Sequence, residues 1–239
     1  MQSNPIIVAL DVASVAAAES LVSQLSSTVG AYKVGLELFN AVGLDIFRAI
    51  KEADPTARIF YDAKFHDIPN TVAGAVRASL TNGIWMVNVH ASGGRAMMAA
   101  AVDAASKCDV KPLVIAVTVL TSLDDHDLNN DLGVSRSAAE QVVALAELAK
   151  AAGCDGVVCS PHEIELIKKA CGRDFLVISP GVRPAGSSLG DQKRVMTPGE
   201  AVARGADFIV VGRPITGSVS PAESALAILA EIREATADL

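Results

Sequence analysis

Residues 156–180, GVVCSPHEIELIKKACGRDFLVISP, contain two short apolar runs separated by a stretch that begins like a helix. The runs Gly156–Ser160 and Phe175–Pro180 have the length and composition of buried strands. Between them, Ser160 is followed by a proline and, three positions on, by Glu163, a pattern typical of a helix N-terminus. A strand, a helix and a second strand in close succession predict that the two strands are parallel.

The same alternation continues in both directions along the chain. Amphipathic stretches such as Val15–Ser26, Ala138–Ala152 and Ala222–Ala235 separate further apolar runs. Eight repeats without a break in composition, in a chain of 239 residues, predict one domain, residues 1–239, with the α/β fold of a single (β/α)₈ TIM barrel, for which roughly 250 residues are typical. The predicted strands are Ile6–Asp11, Ala31–Leu36, Arg58–Lys64, Trp85–His90, Leu113–Thr121, Gly156–Ser160, Phe175–Pro180 and Phe208–Gly212.

Helix starts support this division of the chain. In three places a hydroxyl residue is followed by proline and then by glutamate at the third position, at Ser160–Glu163, Thr197–Glu200 and Ser220–Glu223. Each predicts a capping box, in which the hydroxyl accepts from a free backbone N–H and the glutamate bonds back to the N-cap. Ser137–Glu140 is a fourth candidate without the proline.

The composition excludes several classes of function. A net charge of −7 with no basic stretch argues against a nucleic-acid partner. No apolar run reaches the 18 or so residues that a membrane span requires, and the N-terminus MQSNPIIVALD lacks the features of a signal peptide. We therefore expect neither nucleic acid nor membrane as a partner.

The cysteines carry no metal or redox motif. None forms a C-x-x-C pair, and no pair of histidines completes a zinc spacing. They are interpreted as small buried residues of a protein in the reducing cytoplasm. The four are Cys108, Cys154, Cys159 and Cys171.

Polar residues follow the predicted strands where each apolar run ends. In a (β/α)₈ barrel the C-terminal ends of the strands form one mouth, which holds the active site. Because burying unpaired charges would be costly, their convergence there indicates a polar site rather than a set of unrelated surface contacts. These residues are Asp11, Lys33, Asp62, Lys64, Asn88, His90, Thr121, Ser122, Pro180, Gly212 and Arg213.

The third strand carries the densest group of charges. Asp62 and Lys64 are two positions apart and so face the same side of the strand, and Asp67 follows three residues later. An ammonium held between carboxylates stays protonated, which makes Lys64 a poor nucleophile. It is instead a credible proton donor and a fixed positive charge beside a developing carbanion.

A phosphate site is predicted at the same mouth, after the last two strands. Barrels often bind phosphate with the loops after strands seven and eight. Here those loops contain Arg183, the Gly-Asp-Gln run that ends at Gln192, and the pair Gly212 and Arg213. Glycine lets backbone N–H groups approach an anion, and arginine can bind it with two hydrogen bonds. Arg183 could equally be a structural or solvent-facing residue.

Two loops are long enough to act as lids or binding loops, Ser122–Val134 after the fifth strand and Gly181–Val195 after the seventh. For Ser122–Val134, a tolerated surface insertion is an equally good interpretation. Among the histidines, His66 is interpreted as a structural or solvent-facing residue. His90 is interpreted as, at most, part of the pocket wall.

The segment DAKFHDIPNT, residues 62–71, resembles the signature of the orotidine 5′-phosphate decarboxylase family. Supporting matches occur in the family's order along nearly the whole chain, and no catalytic position of the pattern is missing. They are ALD (9–11), YKVG (32–35), VLTS (119–122), PGVRP (180–184), GDQ (190–192) and VGRPIT (211–216).

The resemblance implies a reaction and a set of roles. The substrate would be orotidine 5′-monophosphate and the product UMP, with Lys64 protonating C6 and Asp62 beside the scissile carboxylate. Asp67 and Thr71 would reach into the neighbouring subunit's site, which makes the active enzyme a homodimer. No cofactor and no metal would be needed. Among the remaining residues, Asp11 and Lys33 would hold the ribose hydroxyls, Ser122 would read the pyrimidine edge, and Gln192, on a closing loop, and Arg213 would bind the phosphate. Further predicted substrate-binding residues are Thr121, Pro180, Arg183 and Gly212.

Two other interpretations stay open at this point. A metal-dependent sugar-phosphate lyase or isomerase of the same barrel group, such as a hexulose-phosphate synthase, would share the Asp-x-Lys-x-x-Asp pattern. It should have a metal-binding carboxylate near the end of the second strand, where this chain has Lys33. A non-catalytic binding barrel is the third possibility, although it would be expected to have lost the charged residues of the mouth.

Overall fold

The computed structural model describes residues 4–108, 110–184 and 196–237. Eight parallel strands pair in chain order, and the last strand pairs with the first to close a barrel, which confirms the predicted (β/α)₈ fold. The strands are β1 (Ile6–Ala9), β2 (Ala31–Val34), β3 (Ile59–Phe65), β4 (Met86–His90), β5 (Leu113–Val117), β6 (Gly156–Val158), β7 (Leu176–Pro180) and β8 (Phe208–Val211).

Helices follow the strands and cover the outside of the barrel. Short helical turns at Ala91–Gly93, Pro161–Glu163 and Asp127–Asp131 supplement them, the last with the wide π geometry. The α-helices are α1 (Val15–Leu25), α2 (Leu36–Val42), α3 (Asp45–Ala53), α4 (Pro69–Leu80), α5 (Gly94–Ser106), α6 (Ala138–Ala151), α7 (Ile164–Cys171), α8 (Pro198–Ala203), α9 (Arg213–Thr216) and α10 (Pro221–Ala235).

The barrel interior is divided into an apolar base and a polar layer above it. Because side chains alternate along a strand, residues two positions after Ala31, Phe60 and Met86 also face inward, one layer nearer the mouth. On β2, β3 and β4 these inward residues are polar or charged. The base itself consists of Ile7, Ala31, Phe60, Met86, Ile115, Ile178 and Phe208.

A larger apolar core lies between the outward faces of the strands and the helices. It is built mainly from alanine, valine, leucine and isoleucine, as expected for parallel strands that are covered on both sides. Phe47 and Tyr61 add an aromatic contact, with ring centroids 5.2 Å apart. These two apolar regions fix the strands, and the strands in turn fix the residues at the mouth.

Several strands end earlier than the sequence predicted. The fifth was expected to reach Thr121, but β5 ends at Val117. Beyond it, both the N–H and the hydroxyl of Thr118 donate to the carbonyl of Val158, which is the last residue of β6, so no further residue of β6 pairs with this segment. Thr121 and Ser122 therefore lie on the turn after β5, and not on the strand itself.

The helix starts confirm two of the four capping boxes. Ser137 and Thr197 accept from the N–H of the third helical residue, and that glutamate accepts from the N-cap N–H. At Ser160 the prediction is wrong, because its hydroxyl accepts from His162 in a tight turn instead of from the third residue. Ser220 makes no capping bond with its side chain, so the box predicted there is also wrong.

Backbone conformation explains the failure at Ser220. The capped residues have ψ between 152° and 161°, whereas Ser220 has a ψ of 78°. Its N–H instead donates to the hydroxyl of Ser218, which also accepts from Ser224. The Ser218 hydroxyl thus bonds the first turn of α10 from outside the helix, a role that a pattern of N-cap, proline and glutamate does not reveal.

The two long loops differ in how much of them the structure describes. Ser122–Val134 contains the wide helical turn at Asp127–Asp131, so part of it is regular. Gly181–Val195 is described only to residue 184. Its two ends are joined by a bridge between Val182 and Met196 and by a hydrogen bond from the N–H of Arg183 to the carbonyl of Met196.

The four cysteines all lie among the described residues and are free thiols. Cys154, Cys159 and Cys171 are buried, as predicted, and Cys108 is partly exposed. Burial raises the pKa of the Cys154 thiol to about 12, with a further contribution from Asp155. A thiol of that kind is inert near neutral pH. Within the described ranges, no helix is long and apolar enough to cross a membrane.

The difference between Ser137 and Ser220 predicts unequal effects of the same substitution. Ser137→Ala removes a capping hydroxyl from a long helix and should lower the free energy of unfolding by about 1 kcal/mol. Ser220→Ala removes a hydroxyl that caps nothing and should change it by less than about 0.5 kcal/mol. Urea unfolding of both variants measures this. An equal loss in both would contradict the assignment of the caps.

Candidate active site

Four charged side chains of alternating sign form a row at the mouth of the barrel. Lys33 Nζ lies 3.2 Å from Asp11 Oδ1 and 3.3 Å from Asp62 Oδ2. On the other side of the same carboxylate, Lys64 Nζ lies 2.6 Å from Asp62 Oδ1. We refer to Asp11, Lys33, Asp62 and Lys64 as the four-charge row. The structure thus brings together four of the predicted site residues from three neighbouring strands.

Asp62 is the centre of the row, and its carboxylate is held ionised. Burial by itself would raise its pKa. The nearby ammoniums of Lys33 and Lys64, together with hydrogen bonds from Lys64 and Asn88, outweigh burial and leave the pKa of Asp62 below its ordinary value. Since the side chain is only 12% exposed, these charges interact with little screening by water.

Gly35, which has no side chain, leaves room for the ammonium of Lys33. A Cβ added at Gly35 would lie 2.7 Å from Lys33 Nζ and 3.4 Å from Asp11 Oδ1. Any larger residue at position 35 would therefore push into the ammonium. The match YKVG in the sequence has a steric reason at its last position.

Strand β3 is irregular where it carries Lys64. From Tyr61 to Phe65 it advances four residues, while its partner β4 advances two, from Val87 to Val89. Lys64 has a φ of 51°, in the left-handed region that residues other than glycine rarely adopt. A bulge of this kind re-aims a side chain, and such bulges are frequent beside active sites.

Asn88 lies within reach of both Asp62 and Lys64. Its side-chain oxygen accepts from the backbone N–H of Lys64 at 2.7 Å, and its side-chain nitrogen donates to Asp62 Oδ1 at 2.7 Å. It is fully buried. The sequence placed Asn88 at a strand end without a role. A polar residue two positions after Met86 in a buried strand is the signal that could have found it.

Asp67 does not flank Lys64 within this chain, which corrects one expectation. Its Oδ1 accepts from the N–H of Ile68 at 2.6 Å, and among the described residues the ion pair of Lys64 is with Asp62. Residues 66–71, which include Thr71, are all exposed at the start of α4. Lys64 is held by one carboxylate of its own chain, because the chain turns outward after β3.

Two predicted substrate-binding residues, Thr121 and Ser122, follow β5. Thr121 is partly buried and Ser122 is exposed. Both are on the turn beyond the C-terminal end of the strand, so they lie on the same face of the barrel as the four-charge row. Their turn is closed by a hydrogen bond from the N–H of Leu123 to the carbonyl of Leu120.

The residues predicted for the phosphate side follow β7 and β8. Pro180 ends β7, and Gly181 takes a φ of 79° as the chain leaves the strand. Gly212 and Arg213 follow β8 directly, with Arg213 exposed at the start of α9. A Cβ at Gly212 would lie 4.0 Å from Asp11 Oδ2, so this loop adjoins the four-charge row.

Arg183 is buried, with 9% of its surface exposed, which excludes the solvent-facing interpretation. Its Nε is fully buried and has no hydrogen-bond partner within the part of the chain that the structure describes. A buried guanidinium group with a spare donor is suited to an anion. Gln192, the remaining residue predicted for this side, lies outside the described residues.

The rings of His66 and His90 lie next to each other beside the site, with centroids 5.3 Å apart and planes tilted by 38°. Burial lowers the pKa of His90, and the neighbouring His66 and Lys64 lower it further, against a smaller opposing effect of Asp62. This lowered pKa favours the neutral form of the His90 imidazole. This agrees with its interpretation as part of the wall rather than an acid.

Among the described residues, one group of side chains has the spacing of a metal site, and it is not in the four-charge row. It consists of Asp124, His126 and Asp127 in the loop after β5. Asp124 Oδ1 accepts from the N–H groups of His126 and Asp127, and Asp127 Oδ2 accepts from the N–H of Asp124. These carboxylates stabilise the local turn.

Comparisons with known proteins agree on one family. The model of the orotidine 5′-phosphate decarboxylase / HUMPS family matches residues 4–228. A protein of Moorella thermoacetica named orotidine 5′-phosphate decarboxylase is 54% identical over 234 residues, which cover 96% of this chain and 92% of the relative. One of the same name from Syntrophotalea carbinolica is 51% identical over 235 residues, or 96% and 95% of the two chains.

A solved structure is similar over the same extent. The crystal structure of orotidine 5′-phosphate decarboxylase from Lactobacillus acidophilus matches with a TM-score of 0.84 and 38% sequence identity. The match covers 96% of this chain and 99% of the other.

The lowered pKa of Asp62 predicts how stability depends on pH. Asp62 is protonated at a higher pH in the unfolded chain than in the folded chain. The free energy by which its carboxylate stabilises the fold is therefore lost as the pH falls through the pKa of the folded state. The difference in unfolding free energy between the wild type and Asp62→Asn should therefore shrink as the pH falls below about 4. Urea unfolding between about pH 6 and pH 3 measures this.

Asp103→Asn is a matched control, because Asp103 forms an exposed ion pair with Lys107. Exposed pairs contribute little, so its difference from the wild type should vary less with pH. A difference between the wild type and Asp62→Asn that stays constant or grows on acidification would contradict the buried ion-pair assignment.

Proposed function

Because this chain belongs to the orotidine 5′-phosphate decarboxylase / HUMPS family, we propose that its four-charge row performs the family's decarboxylation, with Lys64 as the proton donor. The reaction is the conversion of orotidine 5′-monophosphate to UMP in pyrimidine biosynthesis, which makes the protein a carboxy-lyase. The observation that carries the proposed mechanism is the 2.6 Å contact between Lys64 Nζ and the buried carboxylate of Asp62.

Lys64 has the chemistry of a proton donor. When the bond from C6 to the carboxyl carbon breaks, carbon dioxide leaves and the electron pair remains on C6 in the plane of the ring. The π system cannot delocalise that pair, so a fixed positive charge nearby is the main source of stabilisation. Lys64 Nζ then gives its proton to C6, and the neutral amine regains a proton from water. No cofactor enters this scheme.

Asp62 binds the Lys64 ammonium and places a negative charge near the carboxylate that leaves. Its two oxygens bind two different ammoniums, so it remains ionised despite its burial. Repulsion between Asp62 and the substrate carboxylate would be relieved as carbon dioxide departs. Such strain in the ground state adds to the electrostatic stabilisation of the carbanion.

One ammonium cannot account for the whole rate enhancement. Enzymes lower barriers by roughly 8–23 kcal/mol, and an undelocalised carbanion requires the upper part of that range. Contacts with the phosphate, which is distant from C6, supply further binding energy. A loop that closes over the phosphate can use this energy to stabilise the transition state. We assign this role to Gln192 on the loop after β7.

The remaining site residues bind the nucleotide. Asp11 and Lys33, at the outer end of the four-charge row, hold the ribose hydroxyls. Thr121 and Ser122, on the turn after β5, face the pyrimidine edge. On the phosphate side, the donors are the buried guanidinium group of Arg183 and the residues Gly212 and Arg213, with Pro180 shaping the wall.

A metal-dependent sugar-phosphate lyase is not favoured. A divalent cation would need a carboxylate near the end of β2. That position holds Lys33, whose ammonium lies 3.2–3.3 Å from two carboxylates and would repel a cation there. The relatives that are 50–54% identical are named decarboxylases. A non-catalytic barrel is likewise not favoured, since the charged mouth is intact.

Lys64→Ala should abolish turnover while leaving the fold intact. We expect kcat for orotidine 5′-monophosphate to fall by at least about 10³-fold, because the variant loses both the proton donor and the fixed charge. The assay follows loss of the substrate's absorbance band, and circular dichroism checks the fold. Lys111→Ala is the matched control, because Lys111 pairs with Asp155 at the opposite end of the barrel.

Two outcomes would contradict the proposal. Retention of more than about 1% of wild-type activity in Lys64→Ala would remove Lys64 as the donor. Loss of wild-type activity in excess chelator would favour the metal-dependent alternative.

We further propose that the active enzyme is a homodimer in which Asp67 and Thr71 complete the neighbouring subunit's site. Residues 66–71 project from the mouth and are exposed, and Asp67 does not bind the Lys64 of its own chain. Ile68, between them, is 67% exposed, and Leu36 after β2 is 52% exposed. Apolar side chains exposed beside a charged mouth are suited to an interface. The predicted cytoplasmic location stays a prediction.

Mixing two inactive variants tests the shared site. In a twofold dimer of Lys64→Ala and Asp67→Ala subunits, one site carries both lesions and the other carries none. After subunit exchange, the mixture should recover roughly a quarter of wild-type activity, since half of the dimers are mixed and each has one intact site. No recovery, with subunit exchange verified by native mass spectrometry, would place Asp67 in the site of its own chain.

A further inference from the structure

Asn88 is a fully buried amide in the polar layer of the barrel to which the proposed mechanism gives no role. It lies on β4 between Val87 and Val89, and its backbone pairs with Ile115 on β5. Its side chain faces the interior, one layer above Met86. A buried amide needs partners for both its oxygen and its nitrogen, and here both partners belong to the reacting group.

The oxygen of Asn88 holds the backbone of Lys64. In the bulge of β3, Lys64 has left the regular pairing, and its N–H donates to Asn88 Oδ1 at 2.7 Å. The left-handed φ of 51° at Lys64 is unfavourable for a lysine and persists only where its surroundings impose it. This hydrogen bond is a direct contact that imposes it.

The nitrogen of Asn88 holds the carboxylate that binds the Lys64 ammonium. Asn88 Nδ2 and Lys64 Nζ both donate to Asp62 Oδ1, at 2.7 Å and 2.6 Å. The other oxygen of Asp62 faces Lys33. The amide of Asn88 thus holds Lys64 at two points. It binds the backbone N–H directly, and it holds the ammonium through Asp62.

The chemistry of the contact selects asparagine. An ionised carboxylate of the same shape would accept from the Lys64 N–H but would repel Asp62 instead of donating to it. An apolar side chain of similar size would leave both the N–H and the carboxylate oxygen without this partner. An amide with one neutral donor and one acceptor meets both needs without adding charge.

We propose that Asn88 is a positioning residue for proton transfer, which sets the backbone conformation of Lys64 and the orientation of Asp62 so that Nζ points at C6. This inference rests on the proposed role of Lys64. It predicts that loss of the amide affects the chemical step more than nucleotide binding, because the phosphate and ribose contacts lie elsewhere.

The first test is Asn88→Ala. We expect kcat to fall by about 10²-fold, the scale on which a displacement of about 1 Å lowers a rate, with KM for orotidine 5′-monophosphate changed by less than about threefold. Asn4→Ala is the matched control. The amide of Asn4 also uses both ends, donating to the carbonyl of Thr28 and accepting from the N–H of Ile6, at the base of the barrel. It should leave kcat and KM unchanged.

The second test is Asn88→Asp, which keeps the shape and needs no cavity. The new carboxyl would face Asp62 and Lys64 from β3, Lys33 from β2 and His90 along β4. Burial next to the negative charge of Asp62 should raise the pKa of the new carboxyl, so that it becomes protonated as the pH falls. Once protonated, it can again donate a hydrogen bond to Asp62. We expect kcat relative to the wild type to rise on acidification. This pH profile decides the question even where Asn88→Ala does not fold.

A third readout isolates Lys64. In deuterated water the enzyme should exchange the C6 hydrogen of UMP, because the neutral Lys64 amine can remove that proton and return a deuteron. NMR at saturating UMP measures the rate. In Asn88→Ala we expect the exchange rate to fall in parallel with kcat.

The outcomes separate this inference from the proposed function. A wild type without decarboxylase activity would overturn the proposed function itself. With an active wild type, the inference is overturned by a kcat in Asn88→Ala within about twofold of the wild type. It is equally overturned by a relative activity of Asn88→Asp that does not vary with pH, or by an exchange rate unchanged in Asn88→Ala.

Discussion

The site depends on one buried carboxylate. Asp62 receives two ammoniums and one amide, and in return it fixes the positions of Lys33 and Lys64. In an environment with little water, each of these contacts is stronger than it would be at the surface, and leaving any partner unpaired would be costly. The charges at the mouth are therefore an interdependent group, in which the position of each is determined by its neighbours.

The barrel supplies the conditions for that group. Because side chains alternate along β3, Phe60 lies in the apolar base and Asp62 lies one layer above it. The carboxylate is therefore adjacent to an apolar layer. β2 and β4 on either side contribute Lys33 and Asn88 at the same level. Three neighbouring strands thus bring cation, anion and amide together because their first inward residues are apolar and their second are polar.

The sequence was sufficient for the architecture and for the charged residues that the structure brings together at the mouth. Apolar runs and helix caps gave eight strands, and polar residues at the strand ends gave Asp62, Lys64 and Lys33. What the sequence did not reveal depends on local backbone geometry. The capping box expected at Ser220 fails because of a ψ angle of 78°, and β5 stops short of Thr121 because its neighbour β6 ends at Val158.

The largest omission was Asn88, and its reason is physical. Its role depends on a bulge in β3, where the N–H of Lys64 leaves the regular strand pairing. Glycine often indicates such a bulge, but the segment from Tyr61 to Phe65 contains none. Asp67 shows the opposite limit. Its spacing from Lys64 suggested a contact within the chain, but the chain turns outward between them.

The left-handed backbone at Lys64 also has a consequence for stability. Glycine or asparagine adopts that conformation more readily than lysine, for which it costs about 1–3 kcal/mol of folding free energy. Replacing Lys64 by glycine would relieve this strain, but it would also remove the ammonium that the proposed mechanism requires. At this position, stability and the proposed turnover therefore make opposite demands on the sequence.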